Sequence, residues 1–390
     1  MNHAKYTGVD VITELGRRRL GRVQSVTPTS QTNQTTVNQL GSEASVGVVN
    51  DPPTFSADIQ TFFTSGYNIF AMAGEDWTAA ADGDSIELSD VKAADLAIPI
   101  KASGSATTVA RTLYLGGSRL TAFALSASVG QDVTANYTFS SSGVRMLKTA
   151  LAIEAITVAG GSFTTTGTPL QLRNGAYFLK VHDQDVSTIG RTNATTFTTS
   201  LANGTYYAAF RVTGSAGTWQ DTSSLYPTDE PASLRGYHVE LWLTKDTDPD
   251  FQPRAVQSVS LNASFPGEDV NELGNIDPIG RVENIPEITG SLSYLTNGTY
   301  ELEDKFADAD SVDDYSLSDY VGEGYGLELR FFNTTDKVAR IANGPLMTVY
   351  VPDITVSATN FSAQVQQNNT NSFDIRSGAG QLFVYKGVRP

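Results

Sequence analysis

The 390-residue chain contains no cysteine, so disulfides and thiolate metal sites are excluded and stability must come from packing and association. Histidine is nearly absent as well, with only His3, His182 and His238. That scarcity disfavours acid–base and metal chemistry. Charged residues make up 17% of the chain, below the usual quarter, and Ser, Thr, Asn and Gly take their place. Amphipathic helices normally carry Lys, Glu and Arg on their outer faces, so this exchange favours short strands joined by polar turns. Long apolar runs are missing too. The stretch Leu151 to Ala159 is interrupted by Glu154, and nothing else approaches a membrane-spanning length. No N-terminal segment pairs a charged start with an apolar run, and a soluble protein is expected.

The acidic excess is large: 42 Asp and Glu against 26 Lys and Arg leave a net charge of −16. Such a surface repels nucleic acid and argues against tight DNA binding by phosphate neutralisation.

The most informative positive feature is a self-match. Val23-Gln24-Ser25-Val26 returns as Val256-Gln257-Ser258-Val259, and Val37-Asn38-Gln39-Leu40-Gly41 returns as Val270-Asn271-Glu272-Leu273-Gly274, both displaced by 233 residues. Over residues 23–59 against 256–292, eleven of 37 positions are identical. Unrelated sequences of ordinary composition would share about two. The match resumes at a displacement of 229, pairing Leu88-Ser89-Asp90 with Leu317-Ser318-Asp319 and Val109-Ala110-Arg111 with Val338-Ala339-Arg340. Between these, Ile98, Ile100 and Ala102 fall on Leu327, Leu329 and Phe331, an alternation in the same phase, which implies the same buried strand face. Asp132-Val133-Thr134 with Asp353-Ile354-Thr355 gives a closing echo. Two repeats, residues 1–150 and 236–390, are therefore expected, around an unmatched β-rich segment or arm, 151–235.

Within the second repeat, strands are expected at Val239–Leu243, Ile288–Leu295, Leu327–Phe331, Leu346–Val351, Phe361–Val365 and Leu382–Tyr385. Tyr300–Asp310 reads as a short helix, and residues 260–284 as a long polar stretch of little periodicity. The middle segment has strand-like runs at Tyr177–Val181 and Tyr206–Val212, and Asp221–Pro231 reads as a linker. The expected fold class is mainly β: two β-sandwiches or barrels, each with a short flanking helix, plus the intervening segment.

Candidate chemistry is thin. His182-Asp183-Gln184-Asp185 could serve as a metal or acid–base site, and a polar loop after a strand explains it equally well. Asp246-Thr247-Asp248-Pro249-Asp250 has the spacing of the first three ligands of a calcium loop, yet Phe251 stands where glycine is needed and Gln257 where the closing Glu is needed. Asp308, Asp310, Asp313 and Asp314 form a similarly incomplete acidic face. Arg17-Arg18-Arg19 with Arg22 is the densest basic cluster: a nucleic-acid patch, a solvated arm or, favoured in so acidic a chain, an arm that meets a neighbouring subunit's acidic surface. No catalytic residue, metal or cofactor is expected.

The order of elements in the second repeat resembles that of the tail tube proteins of long-tailed phages and archaeal tailed viruses. The similar parts are the strand Val239–Leu243, the run Arg254-Ala-Val-Gln-Ser-Val-Ser, the long polar stretch, Pro286-Glu-Ile-Thr-Gly-Ser-Leu, and the final strand pair before Lys386. The resemblance covers both repeats and not 151–235. It implies a non-enzymatic virion protein, assembled in the host cytoplasm, that stacks as rings into a tube through which double-stranded DNA passes. With the duplication, three chains would supply six domains per ring. Its partners would be itself and tape-measure, tail-terminator and baseplate or tip proteins, with no membrane. The polar stretches 27–52 and 260–285 would be ring-stacking loops, each bent at its Leu-Gly pair (Leu40-Gly41, Leu273-Gly274). A glycan-binding β protein of the virion or cell surface and an enzyme on a duplicated β scaffold are the alternatives.

Overall fold

The computed structural model describes residues 6–9, 12–13, 18–32, 34–38, 45–50, 54–73, 75, 77–91, 94–102, 109–141, 143–147, 151–165, 179–181, 190–211, 233–245, 248–270, 272, 280–295, 325–362 and 370–390. The fold is mainly β. Its first part runs β1 (Tyr6–Val9), β2 (Ile12–Thr13), β3 (Arg18–Arg19), β4 (Val23–Gln31), β5 (Gln34–Asn38), β6 (Ser45–Asn50) and β7 (Thr54–Phe62). Helix α1 (Tyr67–Ala73) follows, then β8 (Ser85–Glu87), β9 (Ala94–Ala102), β10 (Val109–Ser128), β11 (Thr134–Ser141) and β12 (Gly143–Leu147). The middle holds β13 (Leu151–Val158), β14 (Ser162–Thr164), β15 (Leu179–Val181), β16 (Gly190–Arg191), β17 (Thr196–Thr198) and β18 (Gly204–Arg211). The last part comprises β19 (Val239–Lys245), β20 (Asp248–Phe251), β21 (Val256–Ser264), β22 (Gly267–Val270), β23 (Gly280–Glu283) and β24 (Glu287–Leu295). It ends with β25 (Tyr325–Phe331), helix α2 (Lys337–Asn343), β26 (Met347–Ser362), β27 (Thr370–Ser377) and β28 (Phe383–Lys386).

The chain forms two compact units that interleave along the sequence. One takes Met1–Ala57, Ala93–Arg119 and Ser140–Thr228, the other Asp58–Lys92, Leu120–Phe139 and Asp229–Pro390. In the first unit, β9 pairs with β1, β2 and the start of β10, whose Leu113 lies opposite Ile98. The middle segment contributes two three-stranded sheets to this unit, β13-β18-β15 and β14-β17-β16. Phe163 and Phe197 stack across the second of them at 5.4 Å.

The second unit is built on one large antiparallel sheet. Its ladders run from the end of β10 to β21, then β24, β27, β26, β25, β19 and β20, and β28 joins β26 to β8. Alternation explains the strands: in β27 Asn371, Phe373, Ile375 and Ser377 are buried and their neighbours are not, and β11 shows the same rhythm through Ala135, Tyr137 and Phe139. The buried rings interlock, Phe63 edge-on to Phe331 at 5.5 Å and Phe123 against Tyr137 at 5.3 Å. Each such ring contributes roughly 1.5–3 kcal/mol by leaving water. Helix α1 is buried from Tyr67 to Met72. Its start is held by Ser65, whose Oγ accepts the Tyr67 N–H at 3.1 Å. Gly66 has no room for a side chain, since a Cβ there would stand 2.4 Å from the Trp77 ring.

Several expectations hold in detail. Val239–Leu243, Ile288–Leu295 and Leu327–Phe331 lie within β19, β24 and β25. Three need correction. The polar stretch after Val259 is not structureless: β21 continues to Ser264, and Gly267–Val270 and Gly280–Glu283 pair as a hairpin, as do β5 and β6 in the first part. Exposure of this hairpin at Glu268, Val270, Val282 and Glu283 removes the in–out alternation that would have marked it. The match of Val109-Ala110-Arg111 with Val338-Ala339-Arg340 joins unlike structures, a strand in β10 and a helical turn in α2. Likewise Asp353-Ile354-Thr355 lies inside β26, whereas Thr134 opens β11. The helix expected at Tyr300–Asp310 lies outside the described residues.

Candidate assembly surface

Two strands recur whole at the displacement of 233 that the sequence match sets, a third begins at it, and a fourth lies three residues from it. Adding 233 to the bounds of β4 and β7 gives those of β21 and β24, and adding it to Gln34 gives the first residue of β22. Adding 236 to β11 gives β27.

The backbone before β4 and before β21 is the same unusual one. Arg22 and Ala255 are non-glycine residues with positive φ, 54° and 59°. Only one other non-glycine residue among those described, Asp353, shares that conformation. Such a residue costs about 1–2 kcal/mol. In both places the glutamine two residues on caps the turn: Gln24 Nε2 donates to the Arg22 carbonyl at 3.1 Å, and Gln257 Nε2 to the Ala255 carbonyl at 3.2 Å. The Val-Gln-Ser-Val match therefore carries a specific turn as well as a strand.

The environments of the two strands differ. In β21 Val259, Leu261 and Ala263 are buried, and the strand lies between β10 and β24. In β4 every residue from Thr27 to Gln31 is exposed. Exposed apolar side chains gather on two further features: Val270, Val282 and Ile285 on and beside the β22–β23 hairpin, and Val338 and Ile341, one helical turn apart, on α2. Among the described residues, no helix is long and apolar enough to cross a membrane, and no group of three His, Asp or Glu side chains converges as a metal site would require.

Charged side chains instead brace the second unit. Glu328 is only 1% exposed and accepts from Arg330 Nε at 2.6 Å, with Arg389 Nε 3.6 Å away. The guanidinium of Arg330 lies over Trp242 at 4.5 Å and that of Arg389 over Tyr350 at 4.2 Å. Arg340 ties α2 down, donating to Glu240 at 2.7 Å, to the Tyr237 carbonyl at 2.6 Å and to the Thr334 carbonyl at 2.8 Å. Lys386 Nζ sits in a cradle of carbonyls from Trp77, Thr78 and Ala80, at 2.9, 3.4 and 2.6 Å. Burial, followed by the charges of Arg340 and Arg235, lowers the pKa of His238 below its ordinary value. Its Nδ1 accepts the Arg235 N–H at 3.1 Å, so the neutral ring closes the turn before β19.

Of the residues singled out in the sequence, Arg18 and Arg19 form β3, opposite Thr13 and Ile12, and Arg22 occupies the left-handed turn. Arg17, Leu40, Gly41, Leu273 and Gly274 lie outside the described residues, as do His3, His182-Asp183-Gln184-Asp185 and the acidic group Asp308 to Asp314. Asp248 and Asp250 belong to a strand, with Asp248 paired to Lys245 and Asp250 3.5 Å from Arg330, which is unlike a calcium loop. Sequence reasoning missed the ion group around Glu328. Its only local signal is a Glu and an Arg two apart on a strand otherwise apolar, Leu327 to Phe331.

Comparison with protein families and with curated proteins finds no match. Among solved structures, the chain is similar in part to the SPP1 tail tube, a hybrid solid-state NMR and cryo-EM structure. The sequence identity is 11%, the TM-score is 0.26, and 40% of this chain and 81% of that one are covered.

Proposed function

We propose that this chain is a structural virion protein, the self-assembling subunit of a viral tail tube. In this reading residues 1–150 and 236–390 are two copies of one tube domain. Three chains then form a ring of six quasi-equivalent domains, and rings stack into a channel for double-stranded DNA. The observation that carries it is the recurrence of β4, its left-handed turn and its glutamine cap as β21, Ala255 and Gln257. A repeat of that depth inside one chain suits a closed ring, because fusing two domains makes one ring contact intramolecular and raises its effective concentration.

Charge supports the same reading. Three chains would carry 3 × (−16) = −48, and an acidic wall lets DNA slide because it forms no phosphate contacts. The β5–β6 and β22–β23 hairpins, the second with Val270, Val282 and Ile285 exposed, would meet the next ring. The middle segment, having no counterpart, would lie outside the tube or at its rim. No step of this function requires catalysis or a cofactor.

Negative-stain imaging of the purified chain tests the proposal. Rings or tubes are expected. A chain that stays monomeric at all concentrations contradicts it, and discrete particles that bind glycans would favour the adhesion alternative.

A further inference from the structure

Helix α2 belongs to an enlarged connection of the second repeat. Leu113 lies opposite Ile98 as Val351 lies opposite Leu327, so the β9–β10 pair corresponds to the β25–β26 pair. In that register Ala102 and Val109, which end β9 and open β10, fall on Phe331 and Met347, which end β25 and open β26. The first connection has six residues, 103–108, and the second has fifteen, 332–346. Seven of the fifteen form α2.

The polarity of α2 is the reverse of an ordinary surface helix, which turns its apolar side to the core. None of its residues is buried. Towards the rest of the second unit it turns Arg340, which lies over Phe332 at 4.9 Å and donates to Glu240 and to the Tyr237 and Thr334 carbonyls. Val338 and Ile341, three apart and so on one side of the helix, are 75% and 87% exposed. Lys337, one turn before Ile341, is exposed beside them. A patch of this size is too small for a broad globular partner and suits a narrow one such as a strand pair.

The same unit carries a matching surface. In the β22–β23 pair, Glu268 stands opposite Val282 and Val270 opposite Gly280, and directly opposed residues share a face of the ladder. Glu268, Val270 and Val282 therefore lie on one face, and all three are exposed. Two apolar side chains beside one glutamate on this face answer two apolar side chains beside one lysine on α2. The chain is acidic overall, so most pairs of its surfaces repel, and this combination is one that attracts. Both faces are exposed in the chain itself, so neither covers the other and the pairing is open only between copies.

We infer that the β22–β23 pair of one copy docks on α2 of a second copy, with Val270 and Val282 over Val338 and Ile341 and Glu268 at Lys337. This rests on the tube-subunit reading above and names the seat that β22–β23 takes on the next ring. The contact joins two different surfaces, so it repeats head to tail and builds a stack instead of a closed dimer. Six residues are fewer than the seven of α2, so each chain brings one such seat and a ring of three chains brings three. Successive rings are then held in a threefold register although six domains surround the channel.

Charge exchange tests the contact in the full chain. Lys337→Glu and Glu268→Lys, each alone, should raise the protein concentration needed for assembly by several-fold, and the two together should return it towards the native value. Denaturation midpoints should match the native chain in all three, since both residues are exposed. The absence of native cysteine adds a direct readout. Chains carrying Ile341→Cys, mixed under assembling conditions with chains carrying Val282→Cys, should form covalent pairs with a short thiol-bridging reagent. Neither variant by itself, nor Ile341→Cys mixed with Val129→Cys at another exposed position, should do so. If rings or tubes form while Ile341→Cys links only to itself, or stays open to thiol labelling within them, α2 packs on its own copy or is left for a different protein. The seat is then wrong and the tube reading stands. If no assembly forms, native chain included, both fail.

Discussion

Arg22 and Ala255 hold the same left-handed backbone, φ 54° and 59°, 233 residues apart, and each has its carbonyl capped by the glutamine two positions later. Neither is a glycine, so the conformation is paid for in steric strain at both places. Ala255→Gly is accordingly expected to raise the stability of the second unit by about 1 kcal/mol, measured as a higher midpoint in chemical denaturation. Gln257→Ala should lower it by about 1 kcal/mol through loss of the cap.

Lys386 joins the last strand to the Trp77–Ala80 turn through three carbonyls. Lys386→Met keeps most of the apolar stem and removes the charge. It should cost about 2 kcal/mol, as expected for hydrogen bonds from a charged donor, and should increase hydrogen exchange in residues 77–91 first. Unchanged exchange there would show that the cradle does not hold the turn.

Glu328 is a buried carboxylate that depends on its arginines. Arg330→Met should cost about 3 kcal/mol, because it leaves a buried charge poorly compensated. Glu328→Met together with Arg330→Met should cost less than Arg330→Met alone, and a double-mutant cycle measures the difference. Equal or larger loss in the double variant would mean that packing against Trp242, rather than charge, is what Arg330 supplies.

His238 is held neutral in the turn that opens β19, and its pKa lies below the ordinary value, chiefly because burial disfavours the charged ring. The unfolded chain takes up a proton at about pH 6.5 while the folded chain resists it. The stability tied to this histidine is thus present above that pH and is lost as pH falls through the lowered folded value. Denaturation midpoints between pH 8 and pH 5 should fall more steeply in the native chain than in His238→Gln.

Much of the second part of the chain was legible because its strands have one buried face. Val239, Leu241 and Leu243 alternate in sequence, and they fall in β19 beside β25. Helix α2 was missed because seven residues show too little periodicity. Its ends were nevertheless signalled: Asp336 accepts the Val338 N–H at 2.9 Å, and Gly344, with φ 69°, closes the last turn. The paired strands β5–β6 and β22–β23 were read as loops; in the second pair the exposure of Glu268, Val270, Val282 and Glu283 leaves no covered face to impose apolar alternation. The ion group could not be found by any local rule, because Arg389 comes to Glu328 from the far end of the chain. The seam between β10 and β21 has the same origin: the repeat names its two strands, but their pairing is a property of the sheet.

The central claim is that two repeats of one chain occupy equivalent places in a ring, and cryo-EM of the assembled protein tests it most directly. The account predicts rings of three chains with six quasi-equivalent β domains, the middle segments forming three projections at the outside or rim. Rings containing six full chains, or rings in which the two repeats take unrelated positions, would contradict it.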